Sequence, residues 1–368
     1  MTLSHASFRS GFPALERTVW LDTPGSPPGA APVVAAMRRA LDEWLSGGFD
    51  WQDWHARAQS TRGMIAELAG LPDWRVATVS STAEGVATVA QAHRRGEVLA
   101  LEDEFQSSLL PWTSRADADL RVRLAPRRSE SRTEDLLAAL TERTTLVSVS
   151  HVHTGSGRPV DLFALRRSCD EVGARLLVNV TQALGALQLR LAEARPDFVV
   201  VHGYKWLLAP RGIAWLLVRP DRGEELRPPS PGWAADPGRH GNFGDPFGTR
   251  FDIANANGSP SWFAALGAVP ALALMLQLDP AIVDAHVRGL GRRFGEGLRE
   301  LGAEDLSGGE SHIVVSRLPS HEAVRRVFGG RGIRALVTPE RFRVGFHFYN
   351  SEEDVDFALD ALAEALGR

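Results

Sequence analysis

Cysteine is almost absent from this chain: Cys169 is the single thiol in 368 residues. That excludes an internal disulfide and a cysteine-cluster metal site, and it suits a reducing compartment. Long apolar runs are missing too. No stretch reaches the about 18 apolar residues that a spanning helix needs, and "MTLSHASFRSGFPAL" has no basic segment leading into an apolar one. We expect a cytoplasmic protein that does not engage a membrane. Nor is there an excess of positive charge: 41 Lys and Arg stand against 45 Asp and Glu, a net charge of -4. No basic field is available to hold nucleic acid or an anionic surface, so a small molecule is the expected partner. No repeat with a period of about 20 to 50 residues is found, which argues against a solenoid.

What is present reads as α/β. Apolar residues make up 44% and charged residues 23%, ordinary values for a globular protein long enough to bury a large core. Short Val- and Leu-rich runs ("WRVATVSS", "EVLALEDEF", "RVRLAP", "TTLVSVSHV", "ARLLVNV", "DFVVVHG") alternate with helical patterns such as "VVAAMRRALDEWL", "AEGVATVAQAH" and "DLFALRRSCDEVG". The interleaving predicts a largely parallel sheet covered on both faces. Cys169 lies in the last of those helical patterns, where a small core residue is expected. Residues 221 to 260 are dense in Gly and Pro, and Pro228 to Phe251 reads as a functional loop or junction. After them come an apolar helix, "SWFAALGAVPALALMLQL", a last strand, "RFRVGFHFYN", and a final helix.

Ligands of an open α/β sheet collect at the carboxyl ends of its strands, where helix N-termini point free N–H groups at anions. "VATVSSTAEGV" offers Ser81, Thr82 and Ala83 at such a turn. "DEFQSSLLPW" places Phe105 just past another strand. "LLVNVTQALG" ends a third in Asn179, Thr181 and Gln182, and "VHGYKWLLAPRG" puts Lys205 beyond a fourth. A lysine in apolar company either lays its stem on the surface or carries chemistry, because burying its charge is costly. His151 and His153 would share a strand face, but no third ligand at suitable spacing accompanies them. They read as polar loop residues rather than a metal pair.

In their order these segments resemble the class V aminotransferase and cysteine desulfurase group of fold-type I pyridoxal 5'-phosphate (PLP) enzymes, on its isopenicillin N epimerase-like and kynureninase-like branch. "VWLDTPG" is similar to the opening strand and turn, "STAEGV" to the phosphate turn, and "EFQSSLLPW" to the ring-stacking segment. "HVHTGSGRPVDL" resembles the loop ending in Gly, "NVTQALG" the Asp-x-x-Gln strand, "HGYKWLLAPRG" the cofactor lysine with its tail, and "RVGFHFYNSEEDVD" the final Arg, Tyr-Asn and Asp motif. The resemblance implies a large PLP-binding domain over residues 20–250 with a mostly parallel seven-stranded sheet. It also implies a small α+β domain from 1–19 and 251–368, and a homodimer.

The same resemblance implies roles. Lys205 would carry PLP covalently and then serve as the base at Cα. Phe105 would stack on the pyridine ring and Gln182 would approach its phenolic oxygen. Ser81, Thr82, Ala83, His202 and Tyr204 would contact the phosphate. Arg343 would grip the α-carboxylate of an amino-acid substrate with its guanidinium fork. Three positions depart from the pattern. Asn179 stands where the family has an aspartate that keeps the ring nitrogen protonated, which implies a weaker electron sink. Thr154 replaces the asparagine of desulfurases. "FDIANANGSP" replaces the segment through which a second subunit reaches the phosphate, with Asn255 as candidate. No cysteine precedes Arg343 in "VFGGRGIRALVTPERF", which disfavours persulfide chemistry. The expected activity is therefore lyase-type, at the Cβ–S bond of a cysteine conjugate or by decarboxylation with deamination, within specialised metabolism such as antibiotic biosynthesis. An aminotransferase, an epimerase and a non-catalytic PLP-binding protein are the alternatives.

Overall fold

The computed structural model describes residues 2–115, 117, 119–129, 131–226, 231–233, 253–255 and 261–368. The Pro228–Phe251 segment singled out above therefore lies almost wholly outside the described residues. Seven strands form the main sheet: β2 (Arg75–Val79), β3 (Gly96–Leu101), β4 (Leu120–Ala125), β5 (Thr144–Ser150), β6 (Arg175–Asn179), β7 (Phe198–His202) and β8 (Ala214–Val218). Their spatial order is β2-β8-β7-β6-β5-β3-β4, and only β8 runs against its neighbours. The mostly parallel seven-stranded sheet is thus present. Strands such as β7, "FVVVH", read as unbroken apolar runs because helices cover both of their faces.

Alternation along these strands sorts the core. Val98, Leu146, Leu177, Val200 and Leu216 face α4 (Thr82–Ala92) and α5 (Gln106–Thr113). Leu99, Val147, Leu176, Val178 and Val199 face α2 (Ala31–Ser46), α3 (Trp51–Leu68), α6 (Arg132–Ala139), α7 (Leu162–Val172) and α9 (Trp262–Met275). Helix boundaries follow local chemistry. Asp161 caps α7 by accepting from Phe163 N and Ala164 N, and Gly173 ends it in the left-handed conformation. Cys169 is buried on that helix. The short α1 (His5–Arg9) and α8 (Leu191–Ala194) complete this part.

A second apolar cluster is built on a three-stranded antiparallel sheet, order β11-β12-β9, formed by β9 (Ile313–Ser316), β11 (Leu336–Val337) and β12 (Phe342–Gly345). Phe342 and Val344 point into this cluster with residues of α10 (Pro280–Glu300), α11 (His321–Gly330) and α12 (Glu352–Leu366). The opposite face carries Ile313 and Val315 to the first core, and Arg343 is paired with Val315. β1 (Val19–Trp20) pairs in parallel with β10 (Ile333–Arg334). The chain start is thereby tied to the C-terminal region.

The last strand is shorter than its sequence suggests: it ends at Gly345, and Phe346–Asn350 leave the ladder. There the His347 N–H donates to Asn350 Oδ1 at 3.0 Å, which closes a turn where another strand residue was expected. Gly345 lies so close to Pro24 that a Cβ would overlap its ring, and Trp206 Cη2 would stand 3.2 Å away. Among the described residues no single helix is long and apolar enough to cross a membrane, although α9 and α10 pass that test together as a pair bent by 89°.

Candidate active site

Four parallel strands deliver their carboxyl ends to one place. The chain leaves β3 for Phe105, β5 for Thr154, β6 at Asn179 and β7 for His202, Tyr204 and Lys205, and these residues line a cavity of about 290 Å³ with Ser81, Thr82 and Gln182. A larger chamber of about 630 Å³ adjoins it, sharing Phe105, Thr154, Tyr204 and Lys205 and adding Arg343 from β12. Of the expected residues, Ala83 is not in the lining although Ser81 and Thr82, which precede it in the turn, are. The Asn255 side chain lies outside the described residues.

Lys205 is 7% exposed. Its pKa is lowered to about 7, first by burial and then by the charges of Arg343 and Arg211. Among the described residues its amine has no hydrogen-bond or ion-pair partner. The Phe105 and Tyr204 ring centroids lie 5.7 and 5.6 Å from it. The loop after it is tightly drawn: Leu208, buried and non-glycine, takes φ 60, a left-handed conformation that costs about 1–2 kcal/mol outside glycine.

The lysine's surroundings are fixed by hydrogen bonds. Trp206 Nε1 donates to Gln182 Oε1 at 2.9 Å, and Gln182 Nε2 donates to Pro24 O at 3.1 Å and to Thr154 Oγ1 at 2.9 Å. Both amide hydrogens of Gln182 are thus engaged, so an approach to a phenolic oxygen would require exchanging one of them. Thr154 Oγ1 also accepts from Arg343 Nη1 at 2.9 Å. With both lone pairs taken, its own O–H is left to point into the cavity. Asn179 Nδ2 donates to Ser108 Oγ and its Oδ1 accepts from Thr181 N, both at 2.9 Å. Its carboxamide is oriented but carries no charge.

At the other end of the inner cavity, Ser81 caps α4 by accepting from Glu84 N, leaving the first-turn amides directed toward the pocket. Thr82 and Thr181 hydroxyls stand 3.3 Å apart. Burial, with help from Lys205 and Arg211, lowers the His202 pKa to about 4, so it is neutral, and its buried Nδ1 has no hydrogen-bond partner among the described residues. His153, by contrast, is a tie. Its Nε2 donates to Asp103 O at 2.8 Å, so Nδ1 must be the acceptor for Ser156 Oγ at 3.1 Å. His151 is half-buried, and desolvation lowers its pKa to about 4.

Three functional positions escaped sequence reasoning. Asp22 sits 3.5 Å from Arg343 Nη2; burial raises its pKa while Arg343 opposes that shift. Gly25 leaves room for it, since a Cβ there would lie 2.7 Å from Asp22 Oδ1. Arg211, in the quoted tail after Lys205, turns back so that its guanidinium lies 4.1 Å from the Tyr204 ring centroid, and it lines the inner cavity. Glu104 accepts from Phe105 N and from Ser150 N and Oγ, and so fixes where the Phe105 ring starts.

The family model for aminotransferase class-V matches residues 19–323. The chain belongs to that family. This class-V protein is 29% identical to isopenicillin N epimerase of Streptomyces clavuligerus, over 85% of this chain and 84% of the relative. It is 24% identical to an uncharacterized aminotransferase of Bacillus subtilis (strain 168), over 97% and 96%. Its fold is similar to that of an Escherichia coli cysteine desulfurase (TM-score 0.85, 21% identity, 100% and 99% covered). It is likewise similar to that of a cystine C-S lyase solved with its product cysteine persulfide (TM-score 0.86, 20% identity, 96% and 99% covered).

Family membership makes this an enzyme and PLP its cofactor. The residues present fit that group. A buried amine with a near-neutral pKa faces a cavity bounded by one exposed aromatic face and one helix N-terminus, with a neutral imidazole nitrogen and Arg211 beside them. That set matches an aldehyde, a flat ring and a phosphate.

Proposed function

We propose that this class-V enzyme is a PLP-dependent lyase acting on an S-substituted cysteine, which it converts with water to a thiol, pyruvate and ammonia. One observation carries the reading: amine and carboxylate-binding guanidinium line a single chamber, and no sulfur nucleophile lines it with them. The sole thiol, Cys169, is buried on α7 and burial pushes its pKa up to about 12. It cannot accept sulfur in the manner of a nucleophilic thiolate.

Lys205 would hold the cofactor covalently, with Ser81, Thr82, the Ala83 amide, His202, Tyr204 and Arg211 at its phosphate and Phe105 on its ring. When bound, PLP supplies an electrophilic aldehyde and an acceptor for the electron pair left at Cα. Arg343 takes the substrate α-carboxylate, with an Nε that is buried and without a partner among the described residues, while Asp22 and Thr154 hold the other two nitrogens. Released by the substrate, the Lys205 amine removes the Cα proton. Near pH 7 about half of such amines are neutral, the form a base requires. The Cβ–S bond then breaks and sulfur leaves with the electron pair, taking up a proton from the now protonated amine. Asn179 supports this path over full transamination, because an uncharged carboxamide does not hold a proton on the ring nitrogen and charge at Cα is better discharged at once through a leaving group. In the same reading the enzyme is a cytoplasmic homodimer of specialised metabolism.

The test is product analysis on holoenzyme given S-propylcysteine. Pyruvate, ammonia and propanethiol in equal amounts are expected. A keto acid that retains the sulfur, or inversion at Cα without cleavage, would replace this proposal with transamination or epimerisation.

A further inference from the structure

The outer chamber carries more positive charge than an α-carboxylate requires. β9 and β12 pair Phe342 with Ser316 and Arg343 with Val315. The residues next to the Phe342–Ser316 pair, just past the ends of the two strands, are Arg341 and Arg317. Side chains alternate along a strand, so Arg341 falls on the face of Arg343 and Arg317 on that of Val315, and all four line the chamber. Arg341 also acts on Arg343 as a repelling neighbour.

Among the described residues nothing nearby neutralises them. Asp22 is engaged with Arg343, Asp103 with Arg132, and Glu104 with Ser150 and the Phe105 amide. Neither the Arg317 nor the Arg341 guanidinium has an ion-pair partner among the described residues. Of the lining carboxylates only Glu340 is left to set against Arg127, Arg317 and Arg341, so the wall is net positive. The inner cavity suits the cofactor. The remaining about 630 Å³ is far more than the side chain of free cysteine fills.

We propose that this chamber selects cysteine conjugates whose S-substituent ends in a carboxylate, bound between Arg317 and Arg341. The inference rests on the C–S lyase reading and deepens it. Two guanidinium forks flanking one anion give charge-assisted hydrogen bonds that a neutral isostere cannot form.

The experiment compares S-(2-carboxyethyl)cysteine with its amide, S-(2-carbamoylethyl)cysteine, on holoenzyme. kcat/KM should favour the acid by about tenfold or more, and the preference should fall below about threefold in the Arg317→Gln/Arg341→Gln double variant and shrink at high salt. Equal kcat/KM for acid and amide in the wild type would overturn the inference and leave C–S cleavage standing. Cleavage of neither conjugate would instead remove the lyase reading. Calorimetry then tests the chamber without turnover: glutarate should bind about tenfold tighter than its monoamide, and equal affinities would sink the proposal. If the double variant does not fold, Arg317→Gln alone should at least halve either preference, and an unchanged ratio counts against it.

Discussion

The inner cavity and the outer chamber share a wall but are built on opposite principles. Around Lys205 nearly every polar group is held at both ends: Trp206 to Gln182, Gln182 to Thr154, Thr154 to Arg343, Glu104 to Ser150. Across the outer wall, Arg317 and Arg341 have no ion-pair partner among the described residues. Fixed geometry suits a cofactor that is the same in every turnover, and unspent charge suits a group that arrives with the substrate. The comparison separates what sets rate from what sets selectivity.

The largest blow to the inner side should be Lys205→Ala. We expect loss of borohydride-trapped cofactor by mass spectrometry and a fall in kcat of about 10³-fold or more; retained trapping would place the cofactor on another amine. Next comes the junction. Arg343→Gln should lower kcat/KM by about 10²-fold, mainly through KM, because it truncates one partner of a buried charge contact. A loss confined to kcat would argue that the arginine does not hold substrate. Smaller, at about tenfold, is the effect expected of Thr154→Val, which leaves the Gln182 and Arg343 donors it had accepted from unmatched. Cofactor capture by the apo-protein offers a pH test of the same side. Since burial and two arginines depress the Lys205 pKa to about 7, the amine is protonated and unreactive below that value. The capture rate should rise through pH 7 and level off above it. Arg211→Ala removes one repelling charge and should move the midpoint upward, whereas a midpoint already near 10 in the wild type would contradict the burial argument. The smallest change is expected from Asn179→Asp: a few-fold more keto-acid side product per pyruvate, with little loss of cofactor.

Sequence reasoning reached the inner side better than the outer. Phe105, Thr154, Asn179, Gln182, His202 and Lys205 each sit just past a run of apolar strand residues, so the pattern that predicts the strand also predicts where it ends. Nothing comparable marked Asp22. Its meaning depends on Arg343, 321 residues away in the chain, and on a glycine three positions on that leaves space for it. Arg211 was within a quoted segment, but no periodicity tells that a guanidinium will turn back over a tyrosine. That Arg317 and Arg341 line one chamber depends on the antiparallel pairing of the strands beside them, and the second of these proved shorter than the run "RFRVGFHFYN". Gln182 was found, although its donors are already engaged; that is a property of neighbours, not of a motif.

The close approach of Gly345 to Pro24 and Trp206 bears on how this enzyme works. It presses the strand carrying the guanidinium onto the turn at Pro24, with no room for even a methyl group between them, and brings it close to the loop carrying the amine. On the proposed roles of Lys205 and Arg343, the reach from one end of a bound amino acid to the other is set before any substrate enters. Recognition would then be a matter of gauge length rather than of closing around what arrives.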